Sequence, residues 1–510
     1  MKRGTVMHVE MIPVLCSRIS AVAVFACVVL TGCAVGPNFQ PPAAPSTKTY
    51  TERALPPETE KAPGPGGAAQ RFTHGKDIPG QWWTLFHSEM LDRLIRRALA
   101  RSPTLAAARA TLRQAMEARR AQFGALFPRV DAGLSATREK ITGASFGQDT
   151  VIPEFSLFHA SLDITYALDI FGGTRRQLEA LQSQIDYQRF QLEGAHLTLT
   201  SNIVSTAVQE ASLRSQIRST REILTLQEEQ LAIIEKQFEL GGVAAADVLA
   251  QKAQVSQTRA ALPPLQKQLA QTRHLLAVLS GSTPGEAELP EFELDGFVLP
   301  QELPVSLPSS LVRQRPDILA SEALLHAASA QVGVATANLY PQITLTGSYG
   351  SEATGIGKLF GTGSTVWNFG AGLLQPIFHG GTLTAQRRAA VAAYEQALAQ
   401  YRVTVLQAFQ NVADVLRALE ADAGTLKAQK DTETAAFDSL DLTKKQFRLG
   451  GVSYLSLLNA QRQYQQARIS LVQARSARFA DTAALFQALG GGWWNRSRQD
   501  NTATITDNPQ

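Results

Sequence analysis

From Gly380 to Leu449 the chain runs about 70 residues without a proline, and none occurs anywhere between Pro376 and Pro509. As a helix rising 1.5 Å per residue, that segment is roughly 105 Å long, which no compact globular domain accommodates. Apolar or small residues fall at Tyr394, Leu398, Tyr401, Val405, Ala408, Val412, Val415 and Leu419, alternating steps of four and three. That spacing predicts a coiled-coil seam. The first half predicts the same element from Gly172 to Leu240, with a less regular seam.

The two halves are one unit written twice. Pro103 and Pro128 are matched by Pro316 and Pro341 at an offset of 213, and Gly172-Gly173 by Gly380-Gly381 at 208. Gln237-Phe238-Glu239-Leu240-Gly241-Gly242-Val243 is matched by Gln446-Phe447-Arg448-Leu449-Gly450-Gly451-Val452 at 209. Ordered matches at nearly one period mark an internal duplication. Residues 81–282 form the first repeat and 313–492 the second. The linker 283–312 holds Pro284, Pro290, Pro300, Pro304 and Pro308, a density expected to forbid regular secondary structure. Each half reads helix, strand, loop, strand, very long helix, Gly-Gly break, helix. A Gly-Gly pair ends a helix in a left-handed conformation and reverses the chain, so two long helical hairpins are expected.

The N-terminus is an address. Lys2, Arg3 and Arg18 precede an apolar run from Ile19 to Leu30, too short to cross a bilayer of roughly 30 Å as a helix. Residues 1–32 therefore read as a signal peptide. The run ends in Leu30-Thr31-Gly32-Cys33, which resembles the bacterial lipobox. That resemblance implies S-diacylglycerol and N-acyl groups on Cys33, and Ala34 in the next position implies the outer membrane. Several acyl chains anchor stably where one does not. Between Val35 and Pro65 lie eight prolines among Ser, Thr and Ala. Residues 33–80 are accordingly expected to form an extended tether, and residues 493–510 a polar C-terminal tail.

Composition removes several function classes. With 44% hydrophobic and 18% charged residues, the 510-residue chain is neither disordered nor a polytopic helical membrane protein. A net charge of +4 spread along the chain lacks the concentrated basic patch that nucleic acid recruits. Cys16 and Cys27 fall within the signal, leaving Cys33, so a disulfide scaffold is excluded. The eight histidines form no HxxH or HExxH pair, and neither a metal site nor any cofactor besides covalent lipid is expected. Gly355-Ile356-Gly357-Lys358 lacks the spacing of a phosphate loop and reads as a flexible connection. No catalytic constellation is present, and the chain is not read as an enzyme.

The short segments ahead of the long helices alternate with period two. Phe158, Ala160, Leu162, Ile164, Tyr166 and Leu168 face one way, and His159, Ser161, Asp163 and Thr165 the other. Val130, Ala132 and Leu134 alternate with Asp131, Gly133 and Ser135; Ile343, Leu345, Gly347 and Tyr349 with Thr344, Thr346 and Ser348; Trp367, Phe369, Ala371 and Leu373 with Asn368, Gly370 and Gly372. Four strands are predicted. Aliphatic and aromatic residues on one face with small polar ones on the other is how a membrane barrel divides lipid from lumen. Four strands cannot close a barrel, and open edges in lipid leave backbone groups unpaired. Two chains give eight strands, whose interior side chains fill; three give twelve and begin to leave a lumen.

The ordered motifs resemble the TolC-like outer-membrane efflux channels, in particular their lipoprotein subgroup (NodT-like factors). The matching pieces are Cys33 in its lipobox, Trp82-Trp83 followed by Leu91 and Leu94, and Arg315-Pro316-Asp317-Ile318 leading through Ala320 and Glu322 to Tyr340-Pro341. Both Leu-Gly-Gly tips, Ala460-Gln461-Arg462 and the closing Ala488-Leu489-Gly490-Gly491-Gly492-Trp493 also match. The resemblance implies a mixed fold of α-helices and transmembrane β-strands: a homotrimer with a twelve-stranded barrel in the outer membrane and a helical tunnel in the periplasm. It also implies docking to a membrane-fusion adaptor and an inner-membrane pump. Ser102-Pro103-Thr104 stands where Asn-Pro-Asp is usual, which puts a local helix cap in question. The resemblance further implies closure near the hairpin tips, where Asp247, Ser456 and Asn459 are the candidate constriction residues. Gly241, Gly242, Gly450 and Gly451 are the candidate adaptor contacts. The competing reading is a lipid-anchored coiled-coil scaffold without a pore.

Overall fold

The computed structural model describes residues 34–142, 147 and 153–496. They divide into two compact units. One comprises the described residues within 34–42, 112–187 and 321–401; the other comprises those within 43–111, 188–320 and 402–496. In chain order the elements are β1 (Arg71–His74), α1 (Glu89–Arg101), α2 (Pro103–Phe123), β2 (Arg129–Glu139), β3 (Phe155–Leu168), α3 (Gly173–Glu239) and α4 (Ala245–Leu279). There follow β4 (Glu302–Val305), α5 (Pro308–Gln314), α6 (Pro316–Ala337), β5 (Gln342–Ala353), β6 (Thr365–Leu374), α7 (Thr382–Arg448) and α8 (Tyr454–Ala488). Helices α3 and α7 are each 67 residues long, or roughly 100 Å, and α4 and α8 are each 35. Both halves thus fold into the expected long-helix, short-helix hairpins.

In the first unit the four long strands form one antiparallel sheet in the order β2-β3-β5-β6. Asp169 ends the descent from β3: its carboxylate accepts from the Thr174 and Arg175 amides at 2.9 Å each. A carboxylate there satisfies free donors and suits the positive end of the helix dipole.

The second unit holds the larger apolar core. Trp82, Phe86, Phe479 and Phe486 are all essentially inaccessible, with Trp82 stacked on Phe486 at 5.3 Å. Ser102 supplies the cap that was in question, its Oγ accepting from the Leu105 amide at 3.4 Å. Serine replaces asparagine here without loss of function as a cap.

Three expectations are corrected. The linker 283–312 is not free of regular structure: β4 pairs in parallel with β1, Arg71 opposite Glu302 through His74 opposite Val305. Pro304 is tolerated because this ribbon has only two strands, so every position is an edge, and Pro308 sits at the first turn of α5, where its missing N–H costs nothing. The segment 33–80 is no free tether over its described residues either. Ala62, Gln70, Phe72 and Ile78 are buried. Arg478, wholly inaccessible, donates to Gly66 O at 2.9 Å, Gln70 Oε1 at 3.0 Å, Thr59 Oγ1 at 3.1 Å and Ala68 O at 3.2 Å. Gln70 in turn donates to Pro300 O and Thr482 Oγ1. The buried row of α7, finally, runs Tyr401, Val405, Ala408, Val412, Leu416, Leu419, Ala423 and Leu426, with Leu416 in place of the expected Val415. A straight helix of 3.6 residues per turn drifts away from a strict 3.5 repeat, and the row steps over by one position to follow it.

Candidate functional site

Two places carry the functional geometry, and each lies within one unit. The first is the sheet. Its register aligns Ala132, Leu162, Tyr349 and Trp367 across the four strands, and next to them Val130, Ile164, Gly347 and Phe369. These apolar side chains are open to the surroundings: Leu134 is 78% exposed, Phe369 75% and Trp367 74%. On the opposite face Asp131, Asp163, Ser348 and Asn368 form one layer, and Ser135, His159 and Glu352 another. His159 Nδ1 lies 3.6 Å from Glu352 Oε2, and Ser161 donates to Asp163 at 2.7 Å. Among the described residues, strands β2 and β6 are each bonded to a neighbour on one side only. A face this apolar, bare of cover, is matched to hydrocarbon rather than water.

The second place is the pair of hairpin tips. Gly241 N–H donates to Phe238 O and Gly242 N–H to Gln237 O; Gly450 N–H donates to Phe447 O and Gly451 N–H to Gln446 O. Both turns are therefore Schellman motifs. Only the first glycine of each pair has positive φ, +75° at Gly241 and +73° at Gly450. A methyl group on Gly451 would lie 3.5 Å from Gln446 O in ordinary contact. Gly450→Ala is accordingly expected to cost about 1–2 kcal/mol and Gly451→Ala close to nothing, read from denaturant midpoints. Leu240 and Leu449, just ahead of the two pairs, are 80% and 87% exposed.

Below the tips the hairpins are joined by a cluster of Ile234, Val248, Leu440, Tyr454, Leu457 and Ala460. Polar contacts join α8 to α4, with Tyr454 Oη donating to Gln251 and Arg462 Nε to Gln254, and α4 to α3, with Gln251 Nε2 donating to Gln227 O at 2.7 Å. Of the candidate constriction residues, Asp247 lies in the first turn of α4. It acts on Tyr454, whose phenol is pushed up by burial and further by the Asp247 charge. Ser456 and Asn459 are exposed. Ser456 also takes part in the α8 cap, its amide donating to Ser453 Oγ at 3.3 Å. Arg462 belongs to the Ala460-Gln461-Arg462 motif visible in the sequence, whereas Gln251 and Gln254 are not legible there, because glutamines within a polar helix carry no periodic signal. Cys33 lies outside the described residues.

The sequence profile described as outer membrane efflux protein matches residues 94–282 and 307–491, covering both halves. The chain belongs to the outer membrane efflux protein family. This efflux protein is 34% identical over 425 residues to the pyoverdine export outer membrane protein OpmQ of Pseudomonas aeruginosa, covering 81% of this chain and 87% of OpmQ. It is 30% identical over 490 residues to the toluene efflux pump outer membrane protein TtgC of Pseudomonas putida, covering 94% and 97%. Among solved structures it resembles the outer-membrane channel OprN, with a TM-score of 0.82 and 27% identity over 90% of this chain and all of OprN. The efflux protein is an outer-membrane component, and its family is one of efflux channels, transport ducts rather than enzymes.

Proposed function

We propose that three copies of this efflux protein close a twelve-stranded barrel in the outer membrane and form a passive exit duct. Small toxic molecules would be handed to it by an inner-membrane pump through a periplasmic adaptor. The observation that carries this reading is the sheet: one face apolar and uncovered, the other polar, both outer strands with open edges. Unpaired edges are costly in hydrocarbon, at several kcal/mol per group, and joining β6 of one copy to β2 of the next removes them. Twelve strands leave a water-filled lumen. The long hairpins of the three copies would supply the periplasmic coiled-coil tunnel, and acyl groups on Cys33 a supplementary anchor. OpmQ and TtgC bear the names of small organic cargo, pyoverdine and toluene, and the cargo proposed here is of that class. A wide wet lumen selects weakly, so cargo choice would reside in the pump.

Single-channel recording of the purified oligomer in planar bilayers tests the duct. Discrete conductance steps are expected. A folded, membrane-inserted oligomer with no conductance would sink the duct in favour of a lipid-anchored scaffold.

A further inference from the structure

The residues that follow Cys33 are held fast. The Val35 amide donates to Phe171 O at 3.1 Å, in the turn between β3 and α3. Arg176, 4% exposed, donates Nε to Val35 O at 3.1 Å and Nη2 to Asn38 Oδ1 at 2.8 Å and Gly36 O at 3.3 Å. Its Nη1 holds Glu179 at 2.7 Å. Glu179 meets His326 Nε2 at 2.9 Å, and Phe39 stacks on the His326 ring with centroids 4.3 Å apart.

The path of this strap is cleared of side chains. A methyl group on Gly36 would fall 2.5 Å from Gly333 Cα, one on Gly172 would fall 2.6 Å from Ala34 Cα, and one on Gly333 would fall 2.8 Å from Arg176 Cγ. Backbone therefore lies against backbone on both sides of the strap, with one guanidinium bonding three of its acceptors. That is a slot shaped to a particular pentapeptide.

We propose that this slot is a seat for the mature N-terminus, with Arg176 as its positioning residue, and that it holds the lipid anchor at the turn where sheet meets helix. The proposal rests on the reading of Cys33 as acylated. A loose tether would let the anchor roam over tens of ångströms; the seat leaves one peptide unit between the lipidated residue and the protein body. The partner the seat serves is a lipid surface. Fixing the anchor beside Phe171, which stacks on Tyr340 at 4.8 Å, brings the bilayer to the sheet at high effective concentration. Anchoring and strand insertion then proceed as one event.

Three variants of the full-length lipoprotein test this in cells, scored by the rate at which newly made chain becomes detergent-resistant oligomer. Four residues, Gly-Ser-Gly-Ser, inserted between Ala34 and Val35 add slack and release only Ala34, leaving the bonds from Val35 to Asn38 and the Phe39 stack in place. Protection of the Val35 amide, which donates to Phe171 O, should be unchanged, while oligomer forms about tenfold more slowly. Arg176→Gln should lose that protection and slow oligomer formation alike; if it fails to fold, Asn38→Ala serves in its place. Cys33→Ser should keep the protection, since the seat needs no lipid. Parental rates in the spacer variant, or loss of protection in Cys33→Ser, would overturn the proposal. Mass spectrometry of the N-terminal peptide reports separately on acylation, so an unmodified Cys33 would be a failure of the lipid reading and not of the seat.

Discussion

Cells carrying Gly242→Glu together with Gly451→Glu are expected to lose export completely while still assembling oligomers in the outer membrane. The structure makes this a clean test of the proposed adaptor contact. Neither residue has positive φ, both are exposed, and methyl groups at the two positions would lie 3.3 and 3.5 Å from the Gln237 and Gln446 carbonyls. A charged side chain can therefore project outward with little strain, and the helix reversals survive because Gly241 and Gly450 keep the left-handed turns. What changes is the surface beside Leu240 and Leu449. Burying those two leucines against a partner would be favourable by about 1.5–3 kcal/mol each, and a glutamate next to each would have to be desolvated for the contact to form. Three chains would present six altered tips. Drug susceptibility and adaptor cross-linking are the readouts. Export at the parental level would remove the tips from the interface and leave the second glycines with no function beyond closing the turn.

Arg478→Met is expected to be the most damaging single substitution away from the sheet, at about 3–5 kcal/mol in denaturant melts, because it strands buried acceptors and a carboxylate partner together. Gly66 O, Ala68 O and Gln70 Oε1 would each lose their guanidinium donor. The charge matters as well. Burial pushes Arg478 down to about 10, with Asp422 acting against that shift. Burial also pushes the Asp422 carboxyl up from 3.8 to about 7, reinforced by Asp481. The folded chain thus keeps a proton near pH 6 that the unfolded chain has released, so it binds more protons between about pH 4 and pH 7. Stability from this source is full below about pH 4 and is lost as pH rises through about 7. Asp422→Asn should flatten that slope, because the group whose carboxyl is pushed up to about 7 no longer titrates. A pH profile of melts identical to the parent would refute the shared proton.

What could be read from the sequence was whatever repeats at short range. Phe158 to Leu168 alternates because one face meets an apolar medium, and Gln-Phe-x-Leu-Gly-Gly-Val recurs because the same reversal is made twice. The arginine clamp was illegible for the opposite reason. Its partners lie more than 400 positions away in the chain, and nothing near Arg478 distinguishes it from a solvated helix residue. The Pro-rich composition of 35–65 implies a segment that builds no core of its own, but it says nothing about docking on a core built elsewhere. The strand β4 was hidden similarly, since Pro304 argues against a strand unless the ribbon is known to be all edge. At the tips the doubled glycine was visible, whereas which member needs the left-handed backbone was not.

The clamp also sets an order of events in time. Gly66 precedes Arg478 by 412 positions, and Ile78 precedes Asn495 by 417. Residues 71–74 find their strand partner at 302–305, but the contacts to Arg478 and Asn495 wait for the last helix and the turn that follows it. Contacts of such sequence separation form late and slowly. A chain truncated before Arg478 would hold every strand and both long helices, and β1 would still pair with β4, yet Gly66 O, Ala68 O and Gln70 Oε1 would be left without their guanidinium donor, so the seal over the core would be made only by the finished C-terminal helix.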